Sequence, residues 1–215
     1  MEAGDPSRDT AVRSTYERIG RHFAETRPYP WEEVERFLHD RAGGIGLDIG
    51  VGNGRHAEVL AAKVDRVIGV DLSRALLEAA RSRSGDHGFE LDLCQATAAT
   101  LPFRSHTVDL AVYIATLHHL APRQRRIESL NELARVLTAD GLALVSVWSV
   151  SHERFQQERG FDTSVDWTLP DGTVVERFYH IYDLEEFRAD LERANLRPFE
   201  SFQSRGNCFA VVGRT

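Results

Sequence analysis

Ile45-Gly46-Leu47-Asp48-Ile49-Gly50-Val51-Gly52-Asn53-Gly54, followed by Val67-Ile68-Gly69-Val70-Asp71, decides the fold of this chain. An apolar run leads into a glycine turn, a helical stretch follows, and a second apolar run ends on a carboxylate. The interval from Gly50 to Asp71 suits an acid placed on ribose hydroxyls beside a cofactor crossing the turn. Glycines at alternate positions let the backbone approach a ligand where a Cβ would collide. The pattern is G-x-G-x-G and lacks the later glycine of G-x-G-x-x-G, so the exposed amides that a dinucleotide's pyrophosphate needs are not signalled. Asp48 with Gly50, Gly52, Asn53 and Gly54 suits instead the amino-acid end of S-adenosylmethionine. Asp48 can take its ammonium, directly or through water. Asp71, with Leu72 beside it, can hold the ribose, and Ser73 can cap the next helix.

Outward from this unit, strands and helices alternate: strand 45–50, helix 54–63, strand 66–71, helix 73–83, strand 89–95, strand 107–113, helix 122–137 and strand 141–148. Pro122 opens its helix; Ile127, Leu130, Leu133 and Leu137 form one apolar stripe, and Gly141 is expected to stop the helix. Such alternation means an α/β fold with a parallel sheet covered by helices on both faces. Before it, Val12, Tyr16, Ile19 and Phe23 recur at helical spacing, Pro28-Tyr29-Pro30 breaks the pattern, and a second helix runs from Trp31 to about Asp40. After it come a loop-rich stretch, a strand near 173–179, a helix at 183–194, and strands Arg197–Ser204 and Cys208–Gly213 as a hairpin. A seven-stranded, mostly parallel sheet with an antiparallel last strand is the class I methyltransferase (Rossmann-like) architecture. One domain over 1–215 is expected: a helical prelude (1–43) covering the cofactor site, a core (44–150), and a substrate-side region with the hairpin (151–215).

Composition agrees. The 215 residues, 42% apolar, suffice for one sizeable core. Cys94 and Cys208 stand far apart, which makes a disulfide framework or a metal site in this chain improbable. No apolar run reaches membrane-spanning length and no secretory leader pattern opens the chain, so a cytoplasmic protein without membrane contact is expected. The net charge of −7, with Lys63 the single lysine, argues against a general nucleic-acid binder but leaves room for a local arginine patch.

Several constellations carry chemistry. Thr97-Ala98-Ala99 lies where the chain passes the adenine, and Ile114 ends the strand at the ligand side of the sheet. Of His118 and His119, adjacent at a strand end, one is expected to pack structurally while the other faces the pocket. Metal ligation by them lacks further ligands. Arg27, Arg123, Arg125 and Arg126 offer planar forks for carboxylate or phosphate. Trp31 and Trp148 sit where a planar substrate could stack, and Arg177-Phe178-Tyr179-His180-Ile181-Tyr182 could form the pocket's far wall.

Taken together, Tyr16-x-x-Ile19-x-x-His22-Phe23-x-x-Thr26-Arg27-x-x-x-Trp31, the glycine turn, Ile114…His118-His119-Leu120…Arg125-Arg126-Ile127-Glu128, Val147-Trp148, Arg177-Phe178-Tyr179-His180-x-Tyr182 and Asn207 resemble the wobble-uridine tRNA carboxymethyl methyltransferases. The chain departs from that pattern at Val51, Arg55, Thr97 and Cys208. The resemblance implies S-adenosylmethionine-dependent esterification of 5-carboxymethyluridine at the anticodon wobble position, yielding 5-methoxycarbonylmethyluridine. It implies that Arg27 and one of Arg125 or Arg126 orient the carboxylate or flanking phosphates, and that one of the histidines, with Tyr16, lines the methyl path. Trp31, Trp148, Arg177, Tyr179, His180 and Asn207 would meet the tRNA. It also implies a heterodimer with a small zinc-binding activator protein. In this fold the third strand lies at a sheet edge, and Leu91–Ala96 carries no basic or proline guard there, so the activator is expected to pair along it. The alternative is a small-molecule O-methyltransferase acting on a phenol, a quinone precursor or a carboxylic acid.

Overall fold

The computed structural model describes residues 6–215. Two helices, α1 (Pro6–Glu25) and α2 (Glu32–Leu38), precede the first strand. Then follow β1 (Gly43–Ile49), α3 (Arg55–Ala61), β2 (Val64–Asp71), α4 (Arg74–His87), β3 (Asp92–Gln95) and β4 (Val108–Ile114). A single 3₁₀ turn, Leu117–His119, leads to α5 (Arg123–Val136) and β5 (Leu137–Trp148). The chain ends with β6 (Phe161–Thr168), β7 (Val174–Ile181), α6 (Leu184–Arg193), β8 (Leu196–Ser204) and β9 (Asn207–Arg214).

Seven strands form one sheet in the order β3-β2-β1-β4-β5-β9-β8. The first five are parallel, and β9 inserts antiparallel between β5 and β8, as the sequence implied. Strand β4 shows why helices must cover both faces. Its Ala111 and Tyr113 point into a core with Leu130 and Leu133 of α5 and Phe187 of α6. Leu110, Val112 and Ile114 point the other way, onto Val34, Phe37, Ala57, Leu60 and Leu77 of α2, α3 and α4. Each wholly buried leucine of these layers contributes about 1.5–3 kcal/mol. The chain leaves β1 in one direction and β4 in the other, so a crevice opens between their carboxyl ends.

Three local expectations change. Helix α5 ends at Val136 and not at Gly141: Leu137 turns to extended backbone (φ −63, ψ 137) and already pairs with Val108. Gly141 lies inside β5, where a Cβ would press on the Val108 carbonyl oxygen at 2.7 Å. The loop-rich stretch after β5 contains β6, which pairs antiparallel with β7 in a separate two-stranded sheet. Only Val165 of β6 is fully buried, so the strand lacks the apolar run by which buried strands are recognised. The third strand is shorter than 89–95 and does lie at the sheet edge. No described helix is long and apolar enough to cross a membrane.

Candidate active site

The chain leaves β1 through Gly50 (φ +75), Gly52 (φ +54) and Gly54 (φ +80). At Gly50 a Cβ would stand 2.0 Å from Thr116 Oγ1, so neither the backbone nor the space there admits a side chain. The Gly52 amide donates to Asp71 Oδ2 at 3.0 Å, and the Ser73 amide donates to Oδ1 at 2.9 Å. One carboxylate thus fixes both the glycine turn and the entry to α4, whose Leu76 amide is capped by Ser73 Oγ. Burial lifts Asp71 to about 6, and the amides of Ser73, Gly52 and Leu72 oppose that rise.

Asp48 is buried, and its Oδ2 has no hydrogen-bond partner among the described residues. Burial first, and the nearby Asp71 second, raise it to about 7, while Arg55 pulls it down. A buried carboxylate oxygen without a partner is costly unless a donor or cationic group meets it.

Helix α1 crosses the carboxyl ends of the strands and closes a hollow of about 930 Å³, counting the part open to solvent. Of the residues expected at the cofactor, Gly50, Gly52, Asn53, Asp71, Leu72, Thr97, Ala98 and Ile114 line it; Asp48 and Gly54 stand behind. Of those expected at the chemistry, Tyr16, Arg27 and His119 line it. The Asn53 side chain has another duty: Nδ2 donates to the carbonyls of Ala24 (3.0 Å) and Arg27 (2.8 Å), tying the end of α1 to the glycine turn.

The two histidines divide as expected. His118 is buried, with Nδ1 accepting from the Trp148 amide at 3.0 Å, and burial takes its pKa well below the usual imidazole value. His119 faces the hollow. Its Nδ1 lies 2.9 Å from the Phe178 carbonyl, and its Nε2 lies 2.8 Å from the Tyr16 hydroxyl. Burial lowers it to about 4, so it is neutral at physiological pH.

A cationic cluster stands beside Tyr16. The guanidinium carbons of Arg27 and Arg177 lie 5.5 and 4.9 Å from the Trp167 ring centre, and Arg177 also lies 5.2 Å from the ring of Tyr179. Arg177 is buried, and its Nε has no partner among the described residues. Among them, neither arginine is paired to a carboxylate. Burial, and then the Arg177 charge, lower the Arg27 pKa.

The remaining expected residues do not line the hollow, the buried Arg177 and Tyr179 among them. Arg125, largely buried on α5, pairs with Glu128 at 3.0 Å. Arg126 is buried, donates to the Leu120 carbonyl and lies over the Tyr182 ring. His180 is held between Asp162 (2.6 Å) and Glu186 (3.0 Å). Trp31 meets His56 and Phe209 edge-on, and Trp148 meets His152, Phe155 and Tyr179. Asn207 donates to the Arg205 carbonyl in the hairpin turn. Two contributors were not expected. Glu17 accepts from the amides of Arg74 (2.7 Å) and Ala75 (3.1 Å) at the start of α4, docking α1 there. Trp167 sits on the strand that the sequence hides. Among the described residues, no group of three His, Cys, Asp or Glu side chains is placed to hold a metal ion.

The sheet order, the glycine turn and the carboxylates ending β1 and β2 define the class I methyltransferase fold with its ligand crevice. Residues 47–145 match the family described as "Methyltransferase domain". The chain is 35% identical over 167 residues to the tRNA (carboxymethyluridine(34)-5-O)-methyltransferase of Saccharomyces cerevisiae, covering 74% of this chain and 57% of that protein. It is 38% identical over 148 residues to mouse ALKBH8, of the same designation, covering 68% and 21%. The Schizosaccharomyces pombe protein of that designation is 27% identical over 227 residues, covering 94% and 95%. The chain is similar to these methyltransferases, and it spans about half the length of the budding-yeast relative. Among solved structures it is similar to Burkholderia thailandensis 1,6-didemethyltoxoflavin-N1-methyltransferase, which binds 1,6-didemethyltoxoflavin and S-adenosylhomocysteine (TM-score 0.77, 19% identity, 100% and 92% of the chains). It is also similar to a chain in the complex of the Haloferax volcanii Trm112 methyltransferase activator with a methyltransferase (TM-score 0.70, 17% identity, 94% and 97%).

Proposed function

We propose that this chain transfers a methyl group from S-adenosylmethionine to the carboxylate of 5-carboxymethyluridine at the wobble position of tRNA, forming the methyl ester. The observation that carries the acceptor class is the Arg27–Arg177 cluster: Arg27 lines the hollow, and Arg177, against the same Trp167 ring, is buried with an Nε unpartnered among the described residues. Such a pair is completed by an anion with planar geometry.

The residues fit the cofactor. Asp48 would receive its ammonium, Asp71 its ribose hydroxyls, and Leu72, Thr97 and Ala98 would border the adenine. Bound there, the cofactor supplies an electrophilic methyl on a sulfonium; transfer to a carboxylate oxygen makes an ester and a neutral thioether and moves no proton. The acceptor is already ionised, since carboxylates titrate near 4. The protein therefore needs no general base, and His119, neutral and engaged on both nitrogens, offers none. Its work is alignment and exclusion of water. Arg27 and Arg177 orient the carboxylate. Tyr16 and His119 form the wall along which the methyl passes. Because the nucleophile loses charge in the transition state, orientation from the side serves better than a tight pair on the attacking oxygen.

The partner is a small activator protein of the Trm112 kind, laid along the β3 edge from Leu91 to Ala96. The edge position of the short strand β3 and the likeness to the H. volcanii complex support this. The test is incubation of the protein, alone and with such an activator, with methyl-labelled cofactor and bulk tRNA. Alkali-labile label in the anticodon loop is the expected result. Label confined to small metabolites would establish the small-molecule reading in its place.

A further inference from the structure

The segment Thr26-Arg27-Pro28-Tyr29-Pro30, which joins α1 to α2, is held more firmly than a connecting loop requires. Three consecutive carbonyls accept from side chains of the scaffold: Arg27 from Asn53 Nδ2 (2.8 Å), Pro28 from Arg83 Nη2 (2.8 Å) and Tyr29 from Arg55 Nη1 (3.2 Å). Arg83 is itself fixed by Glu58 at 2.7 Å. Prolines on both sides of Tyr29 restrict φ at 28 and 30 and bias the residues before them toward extended backbone. Here the ring of Tyr29 is 78% exposed, the most exposed of the large apolar side chains described. It makes no ring contact with another aromatic among the described residues.

Tyr29 therefore offers a free π-face at a fixed place, two residues after an arginine that lines the hollow. Two residues span at most about 7 Å, the order of the distance between neighbouring bases in an unstacked strand. The surroundings are cationic, with Arg27, Arg55 and Arg83 gathered about the loop of a chain whose net charge is −7. An aromatic presented among guanidiniums beside a pocket is how single-stranded nucleic acid is held without reading its sequence. We propose that Tyr29 is a stacking platform for the nucleobase next to the one whose carboxylate enters the hollow. This rests on the tRNA reading above, and it concerns RNA and not a protein partner.

The test uses the full chain, with its activator if turnover requires one, and an anticodon stem-loop carrying 5-carboxymethyluridine. Tyr29→Ala is expected to raise KM for this RNA about tenfold while kcat changes little, and Tyr29→Phe, which keeps the ring, to behave as wild type. Affinity for S-adenosylhomocysteine, read by calorimetry, stays unchanged in both. With 2-aminopurine beside the wobble position, binding to wild type quenches its fluorescence, and Tyr29→Ala abolishes the quench. An unchanged KM and an unchanged quench in Tyr29→Ala would overturn the proposal, as would a loss of cofactor affinity, which marks a structural role. If wild type neither binds nor methylates the stem-loop, the tRNA reading has failed, and the platform goes with it. If the stem-loop is methylated but position 29 is silent, only the platform is lost.

Discussion

The Tyr16 hydroxyl donates to His119 Nε2 at 2.8 Å, and the direction is fixed by what lies behind the ring. His119 Nδ1 faces the Phe178 carbonyl, which can only accept, so Nδ1 carries the proton and Nε2 is the acceptor. Burial takes this imidazole down to about 4 and drives the Tyr16 phenol well above its ordinary value. Neither group changes charge near neutrality.

The single-turnover rate of methyl transfer with saturating cofactor is expected to stay flat between about pH 6 and 8, because the acceptor carboxylate and its neighbours keep one ionisation state there. A rising limb centred near the ordinary histidine value of about 6.5 would make one of the histidines a general base, and the acceptor a hydroxyl in place of a carboxylate.

Cofactor affinity, by contrast, depends on pH through Asp48. Without ligand this carboxyl is raised to about 7, so it is protonated in a mildly acidic solution. The sign follows: a raised folded pKa contributes stability that is fully present below the ordinary value of 3.8 and is lost as pH rises through about 7. An ammonium beside Oδ2 reverses this, holding the group ionised and expelling its proton. Binding of S-adenosylhomocysteine should strengthen by up to about tenfold from pH 6 to 8 and release protons at the lower pH, seen by calorimetry in two buffers of different ionisation heat. Asp48→Asn should remove both effects. Equal affinity at the two pH values in the wild type would place the ammonium elsewhere.

How much of this was written in the sequence depends on the kind of information each feature uses. The strand–turn–helix–strand unit from Gly43 to Asp71 was legible because apolar runs, glycines and a terminal carboxylate are local signals. Of the paired histidines, the sequence could say that one packs and one faces the hollow. Which is which depends on the Trp148 amide and the Phe178 carbonyl, contributed by strands 30 and 59 residues away. The arginines failed for the same reason. Arg125 and Arg126 follow the active-site strand closely in sequence, yet α5 turns one toward Glu128 and buries the other over Tyr182. Arg177 was legible on its strand, but its place next to Arg27 depends on Trp167 of β6, whose polar alternation hid that strand. Glu17 left no signal at all, since the amides it caps belong to α4, 57 and 58 residues later.

The glycine turn makes a stability prediction that needs no ligand. Gly50 has φ +75, and a Cβ there would lie 2.0 Å from Thr116 Oγ1 and 2.7 Å from Thr116 Cβ. Gly50→Ala combines the strain of a positive φ, about 1 kcal/mol, with an overpacking cost of about 1–3 kcal/mol. Thermal unfolding should shift down by several degrees, and cofactor affinity should fall with it. Gly52→Ala meets only the Gly50 carbonyl oxygen, at 3.9 Å, and so carries the strain alone. A melting point for Gly50→Ala equal to that of Gly52→Ala would mean that the turn relaxes around the new methyl.

The arginine cluster can be tested apart from the cofactor, since the Arg27 hydrogen bond to the glycine turn runs through its carbonyl, while its side chain meets Phe23, Trp167 and Thr26. Arg27→Ala should leave S-adenosylhomocysteine affinity within about twofold and lower kcat/KM by about ten- to a hundredfold, the range for a hydrogen bond to a charged group. Arg177 is buried, so its removal also disturbs packing against Trp167 and Tyr179. Arg177→Met keeps volume there and removes the fork. The discriminating measurement is therefore a ratio: affinity for a stem-loop with 5-carboxymethyluridine over affinity for the same RNA with plain uridine. Wild type should prefer the carboxylated RNA, and Arg27→Ala and Arg177→Met should each lose most of that preference. Because both guanidiniums would hold one carboxylate, the double variant should lose less than the sum of the two. If both single variants keep the full preference, the carboxylate lies elsewhere, and Arg125 on α5 is the next residue to change.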